Sequence, residues 1–155
     1  MHANEQLLHG FYAALERLDA AAMAAAYTSD AHFSDPMFPD LNGPQVPAMW
    51  AMLTGRSTGI RLEVSGVEAD DDSGRAIWVA HYKFGPSQRP VVNKVSSTFA
   101  FSDGRIRSET DSFDFNAWAA MALGGKGRML GWTPLVRRAA QGQAAKGLAE
   151  FMAKG

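Results

Sequence analysis

Cysteine is missing from this 155-residue chain. Disulfides and thiolate metal sites are therefore excluded, and a packed core must supply the stability. No apolar run is long enough to span a bilayer. The opening MHANEQLLHG lacks a basic segment followed by an apolar stretch, so no signal peptide is read there. An excess of one charge is also missing: 15 Lys and Arg stand against 16 Asp and Glu, a net charge of −1. Such a chain has no field to hold nucleic acid, and the local pair Arg137–Arg138 reads as a solvated helix face. With only 4 histidines, none in H-x-H, H-x-x-x-H or H-E-x-x-H spacing, no metal site is expected. Together these absences predict a cytoplasmic protein with neither a nucleic-acid nor a membrane partner.

What is present is a globular composition, 46% hydrophobic and 20% charged, of a length that suits one core. Leu8, Phe11, Tyr12, Leu15 and Leu18 recur at three- and four-residue steps and predict an amphipathic first helix, with Asn4 as its N-cap. Asp19 is placed to cap a short second helix, Ala20 to Tyr27. AHFS is a short strand candidate. Asn42-Gly43-Pro44 opens a helix that runs through Leu53.

From residue 60 the period changes to two. IRLEVSGVEA, RAIWVAHYKF, VVNKVSSTFAF and IRSETDSFDF read as about four strands joined by short turns, an antiparallel meander. In the second of these, Ile77, Val79 and His81 alternate, which predicts His81 inside. NAWAAMALGG reads as a short helix closed by glycine, and KGRMLGW as a glycine-rich connection. Thr133 and Pro134 then open a last helix. Val136, Ala140, Leu148, Phe151 and Met152 lie roughly on one face of it, and its two internal glycines require it to dock on something. Helices first, then a meander, then a helical tail give an α+β class with helices on one face of a curved sheet.

The segment FYAALERLDAAAMAAAYTSDAHFSDP is similar to the entry of the nuclear transport factor 2-like superfamily, in its SnoaL-like and ketosteroid-isomerase-like branch. FSDGRIRSETDSFDFNAWAAMALGG resembles that family's closing hairpin, with Ile106, Asp111, Phe113 and Asp114 carrying its pattern. The resemblance covers residues 5 to about 125, so residues 1–125 are taken as the SnoaL-like domain. Residues 126–155 are a C-terminal helical extension packed on the same domain or on a dimer partner. It implies a cone-shaped, curved antiparallel sheet packed on the N-terminal helices, an apolar cavity for a small hydrophobic molecule, and a homodimer. No cofactor is implied. The family's reactions are diverse, so the site must carry the argument.

By the resemblance, Asp35 in the Asp-Pro turn matches the general base of ketosteroid isomerase, and Asp111 matches the strand acid/base of SnoaL-type cyclases. A desolvated carboxylate has raised proton affinity and can shuttle a proton. Two departures argue against steroid isomerisation. Phe11 stands at the place of the isomerase tyrosine, with Tyr12 about 100° further round the helix, and Ser97 stands at the place of its acidic donor. Many relatives carry histidine where Glu109 sits. Glu109, Asp111 and Phe113 share one strand face; two acids on one face repel, so one can stay protonated. The competing reading pairs these acids with Arg105 or Arg107, or leaves them in water.

His32 and Asp35 point to opposite faces. Trp50, Trp78, Tyr82, Phe99 and Trp118, with Met49, are candidate cavity lining, as are Tyr12, Phe33 and His81; each has plain core packing as its alternative. Two functions stay open: a cofactor-independent isomerase, cyclase or lyase working through Asp35 and Asp111, and a non-catalytic binding or dimerisation module of the same fold.

Overall fold

A computed structural model describes residues 1–125 and 133–155; the glycine-rich connection read from the sequence, 126–132, lies outside them. Helix α1 (Ala3–Glu16) starts on His2 rather than Asn4. The His2 ring nitrogen accepts the Asn4 amide at 2.9 Å, while the Asn4 side chain donates to the Asp70 carbonyl at 3.0 Å. Asn4 therefore ties the helix to the turn at residues 70–72, a long-range task that local spacing does not reveal.

Asp19 caps α2 (Ala20–Ala25) by accepting the Ala22 amide at 3.1 Å. That helix stops earlier than expected: Tyr27 already belongs to β1 (Tyr27–Ser34), a longer strand than AHFS alone. A two-residue strand, β2 (Leu41–Asn42), precedes α3 (Gln45–Arg56). The meander follows as β3 (Ile60–Ala69), β4 (Ser73–Lys83), β5 (Pro90–Ser102) and β6 (Arg105–Ser112). Asp103 and Gly104 both take positive φ (50° and 76°) in the β5–β6 turn, as the Asp-Gly hairpin signal requires.

The six strands run in the order β2-β1-β6-β5-β4-β3. The meander is antiparallel throughout, but β1 pairs in parallel with β6, so the sheet is mixed rather than wholly antiparallel. The whole chain from β2 through β5 separates these two strands, which supplies the long crossover that parallel pairing needs. Register shifts between Ser65 and Glu68, where Gly66 has φ 59°, and between Ala100 and Phe101 bend the sheet.

Strand β4 corrects the sequence reading. Its inward residues are Ala76, Trp78 and Ala80, all buried, while Ile77 is 39% exposed. Bulky Ile77 and Val79 suggest the wrong face because the inner face carries alanines, which leave room for the aromatic side chains beneath. Gly74 has the same cause. A Cβ there would lie 2.9 Å from the Phe101 ring, 3.0 Å from the Glu68 carbonyl and 3.1 Å from the Ala69 side chain. Gly74→Ala is expected to destabilise by about 1–3 kcal/mol, read as a lower denaturation midpoint.

The C-terminal elements close one side. Asp114 caps α4 (Phe115–Leu123), accepting the Ala117 amide at 3.0 Å, and Gly124 ends it at φ 71°. Thr133 caps the last helix, α5 (Pro134–Ala153). It packs on α3, with Leu148 buried, whereas Phe151 and Met152 are each 38% exposed. The apolar face read from the sequence therefore docks mainly through Leu148. Arg137 and Arg138 are exposed, as a solvated helix face requires, and the Arg137 guanidinium sits 5.4 Å from the Phe115 ring centre. Gln141 donates to the Pro36 carbonyl at 3.0 Å, which joins α5 to the loop that carries Asp35. No described helix is long and apolar enough to cross a membrane.

Candidate functional site

The Asp-Pro loop after β1 is an Asx-type turn. Asp35 Oδ1 accepts the amides of Met37 (2.7 Å) and Phe38 (2.6 Å), and the Asp35 amide donates to the Phe38 carbonyl at 2.9 Å. The sequence uses aspartate here for turn chemistry, yet the turn also turns the carboxyl inward. Asp35 as a residue is only partly covered, but its carboxyl is desolvated. Burial is the largest influence and the Asp111 charge adds to it. The amide bonds oppose both, and the proton affinity is pushed up to about 7.

Strand β6 supplies the other two acids. Glu109 is 0% exposed and Asp111 4% exposed. Arg105 and Arg107 occupy the opposite, exposed face, so neither pairs with these acids, and the reading that placed the acids in water or on arginine is set aside. Two arms of the same construction reach the carboxyls. Trp50 Nε1 donates to Tyr27 Oη (2.8 Å), which donates to Glu109 Oε1 (2.5 Å). Trp78 Nε1 donates to Ser97 Oγ (2.8 Å), which donates to Asp111 Oδ1 (2.6 Å). The two carboxyls are also in mutual contact. Burial raises the proton affinity of both; the neighbouring Glu109 raises that of Asp111 further.

Tyr12 reaches this cluster despite its offset from Phe11. Its hydroxyl points toward Ser97, Glu109 and Asp111 but is buried without a hydrogen bond of good geometry. Burial, then the charges of Glu109 and Asp111, hold it well above the ordinary tyrosine range, so it remains a neutral O–H donor. Phe11 turns instead to Tyr27 and Trp50, edge-on at 5.6 and 5.8 Å. Phe33 packs edge-on to Trp50 at 5.9 Å. An α-helix with both residues buried presents Phe11 and Tyr12 to the sheet side by side.

The remaining candidates are spread more widely. Phe99 is buried and stacks on Phe101; it stands opposite Glu109 across the β5–β6 pair. Phe113 is partly buried where the main core meets the cluster under α4. Trp118 Nε1 donates to Tyr82 Oη at 2.9 Å. Burial, with a smaller push from Asp35, raises the Tyr82 hydroxyl's proton affinity. Met49 is buried in the main core. His81 is not inside: it bonds Glu63 at 3.0 Å on the outer face of the sheet. His32 likewise bonds Asp40 at 2.9 Å, away from Asp35. Sequence reasoning missed Tyr27, assigned to a helix end, and took Ser97 as the loss of an acid rather than as the donor to Asp111. The one available signal for Tyr27 was its phase with Ala31 and Phe33, which are also buried.

Two pockets lie apart from the cluster. One of about 540 Å³ is bounded by Thr58, Gly59, His81, Tyr82, Lys83 and Val91, among others. One of about 370 Å³ lies between the loop at Met37–Leu41 and α5. Neither wall includes Asp35 or Asp111; Tyr12, Trp50 and Trp78 fill the space beside them. Among the described residues no group of three or more His, Asp or Glu side chains is arranged to hold a metal ion.

Comparison with curated proteins gives no match. Among solved structures, an epoxide hydrolase of Mycobacterium tuberculosis, of the type termed LEH-like, superposes with TM-score 0.67 at 21% identity over 84% of this chain and 97% of that one. A Jannaschia sp. protein provisionally described as a SnoaL-like polyketide cyclase gives TM-score 0.69 at 14% identity over 79% and 92%. A Catenulispora acidiphila protein of ketosteroid-isomerase-like fold, in complex with trimethylamine, gives TM-score 0.68 at 15% identity over 83% and 97%. At these identities the likeness is one of fold. The profile of the SnoaL-like domain matches residues 8–109. The chain belongs to the SnoaL-like domain family.

Proposed function

We propose that this protein is a cofactor-independent proton-transfer enzyme, an isomerase, cyclase or lyase acting on a small hydrophobic carbonyl compound. The observation that carries this reading is the contrast between two carboxyls in electrostatic contact. Asp35 is poised near neutral, while Asp111 is held protonated by burial and by Glu109. Such a pair divides naturally into base and acid. Asp35 takes a proton from the carbon next to the carbonyl. Negative charge then develops on the carbonyl oxygen, and the Asp111 O–H and the unpaired Tyr12 O–H are the donors for it. The name of one structural neighbour, polyketide cyclase, is in keeping with this class.

Ionised Asp35 and protonated Asp111 are both required, so the expected pH dependence has a sign on each side. The rate constant kcat/KM rises as pH passes through about 7, then falls at higher pH as Asp111 loses its proton. Tyr12→Phe separates catalysis from stability. Because the hydroxyl is buried and unpaired, its removal is expected to leave stability unchanged or slightly raised. It is also expected to lower kcat by about 10²–10³. Thermal unfolding and steady-state kinetics on a ketone found by thermal-shift screening read the two effects.

A second reading is favoured by one observation: neither pocket wall includes the acids. In that reading the protein binds a small hydrophobic molecule without turning it over. Ligands that bind wild type, Asp35→Asn and Asp111→Asn alike, with no turnover by any of them, would select it. Both readings include a homodimer formed through the outer face of the sheet, where Ile77 and Val92 are 39% and 51% exposed. Sedimentation of a single monomeric species would exclude that assembly.

A further inference from the structure

The mechanism above uses Asp111 but leaves Glu109 idle, although Glu109 is the most deeply sealed acid of the three. Its two carboxyl oxygens differ. Oε1 accepts the Tyr27 hydroxyl at 2.5 Å, and Oε2 is buried with no partner. Asp111 lies two residues along the same strand face, in contact with it, with Oδ1 taken by Ser97. No Lys, Arg or His is buried among the described residues, so two adjacent negative charges would stand without compensation in a dry interior. One proton between the carboxyls removes that conflict and, with no substrate bound, supplies the missing partner of Oε2; a developing oxyanion then draws the same O–H away from it.

We infer that Glu109 is a positioning residue: clamped by Tyr27 and Trp50 and in contact with Asp111, it keeps a shared proton on Asp111 and so fixes Asp111 as a hydrogen-bond donor. The asymmetry of the two arms decides where the proton rests. An indole N–H backs each hydroxyl, so the difference lies in the hydroxyls themselves: the more acidic phenol O–H of Tyr27 is a stronger donor than the Ser97 hydroxyl and stabilises the anion on Glu109. The other groups facing the pair act in known directions. Asp35 from the loop after β1 adds negative charge and favours retention of the proton, while Tyr12 from α1 and Tyr82 from β4 remain neutral. The catalytic meaning rests on the proposed function, but the shared proton does not.

Carbon-13 NMR of protein labelled at the Asp and Glu carboxyl carbons tests this without any substrate. At neutral pH the wild type is expected to show Asp111 protonated and Glu109 ionised. In Glu109→Gln the new amide N–H₂ donates to Asp111, and its ionisation midpoint is expected to fall by about one unit or more. In Tyr27→Phe the clamp on Glu109 is lost, and the proton is expected to move toward Glu109, whose signal shifts to the protonated position. An Asp111 already ionised at neutral pH in the wild type, or a midpoint unmoved in Glu109→Gln, overturns the inference. If Glu109→Gln does not fold, an unchanged Glu109 signal in Tyr27→Phe overturns it alone. Absence of any turnover in the wild type would count against the proposed function and leave the shared proton untouched.

Discussion

Asp35→Asn is expected to raise the thermal stability of the protein at pH 8 while abolishing any proton-transfer activity. The unfolded chain ionises this carboxyl near its ordinary value of 3.8, the folded chain only at about 7. The folded state therefore binds more protons across that window, and stability contributed by the group is fully present below the lower value and lost as pH rises through the upper one. Above pH 7 the ionised form costs on the order of 3 kcal/mol, allowing for solvent at the open side of the carboxyl. Asparagine keeps the oxygen that accepts the Met37 and Phe38 amides and carries no charge to desolvate. The expected result is a midpoint higher by about 5–10 °C at pH 8, with little difference at pH 4. Turnover, measured in parallel, falls by about 10²–10⁴. A residue that only made a turn would show neither the pH-dependent gain nor the loss of rate.

Trp50→Ala is expected to have the largest effect on folding. Trp50 is 5% exposed, meets the rings of Phe11 and Phe33 edge-on, and donates to Tyr27. Removing the indole leaves a cavity in the main core and strips the donor that backs the Tyr27–Glu109 bond. The two effects together predict a loss of about 3–5 kcal/mol. Trp50→Phe retains most of the ring contact and loses only the N–H, for about 1–2 kcal/mol. Urea denaturation of both variants separates packing from hydrogen bonding. Equal losses would mean that the bond to Tyr27, not the packing, dominates.

Both predictions draw on features that the sequence disclosed to different degrees. Period-two alternation from Ile60 onward and the Asp-Gly turn at 103–104 are local properties, and they gave the meander and its hairpin. The same alternation put Glu109 and Asp111 on one face but left open whether that face meets the core or arginine and water, because the register shift before Ser108, which turns Arg105 and Arg107 outward, is not a local signal. Other features depend on partners far along the chain. Tyr27 enters a strand because β6 is there to receive it, and Asn4 is buried because the turn at 70–72 needs its amide. The facing of β4 was obscured because alanines line the inside while isoleucine and valine face out, a choice dictated by the aromatic volume beneath. The pairing of indole, hydroxyl and carboxyl in two arms joins residues 14 to 82 positions apart, distances over which no spacing rule operates.

The central claim is that an aspartate in a desolvated turn holds its proton into the neutral range beside a second, proton-bearing carboxyl. Titration of the Asp35 carboxyl carbon by NMR in the unmodified protein measures this directly. The account predicts a midpoint near pH 7, with Asp111 still protonated at that point. A midpoint near pH 4 for Asp35, with Asp111 ionised alongside it, would contradict it.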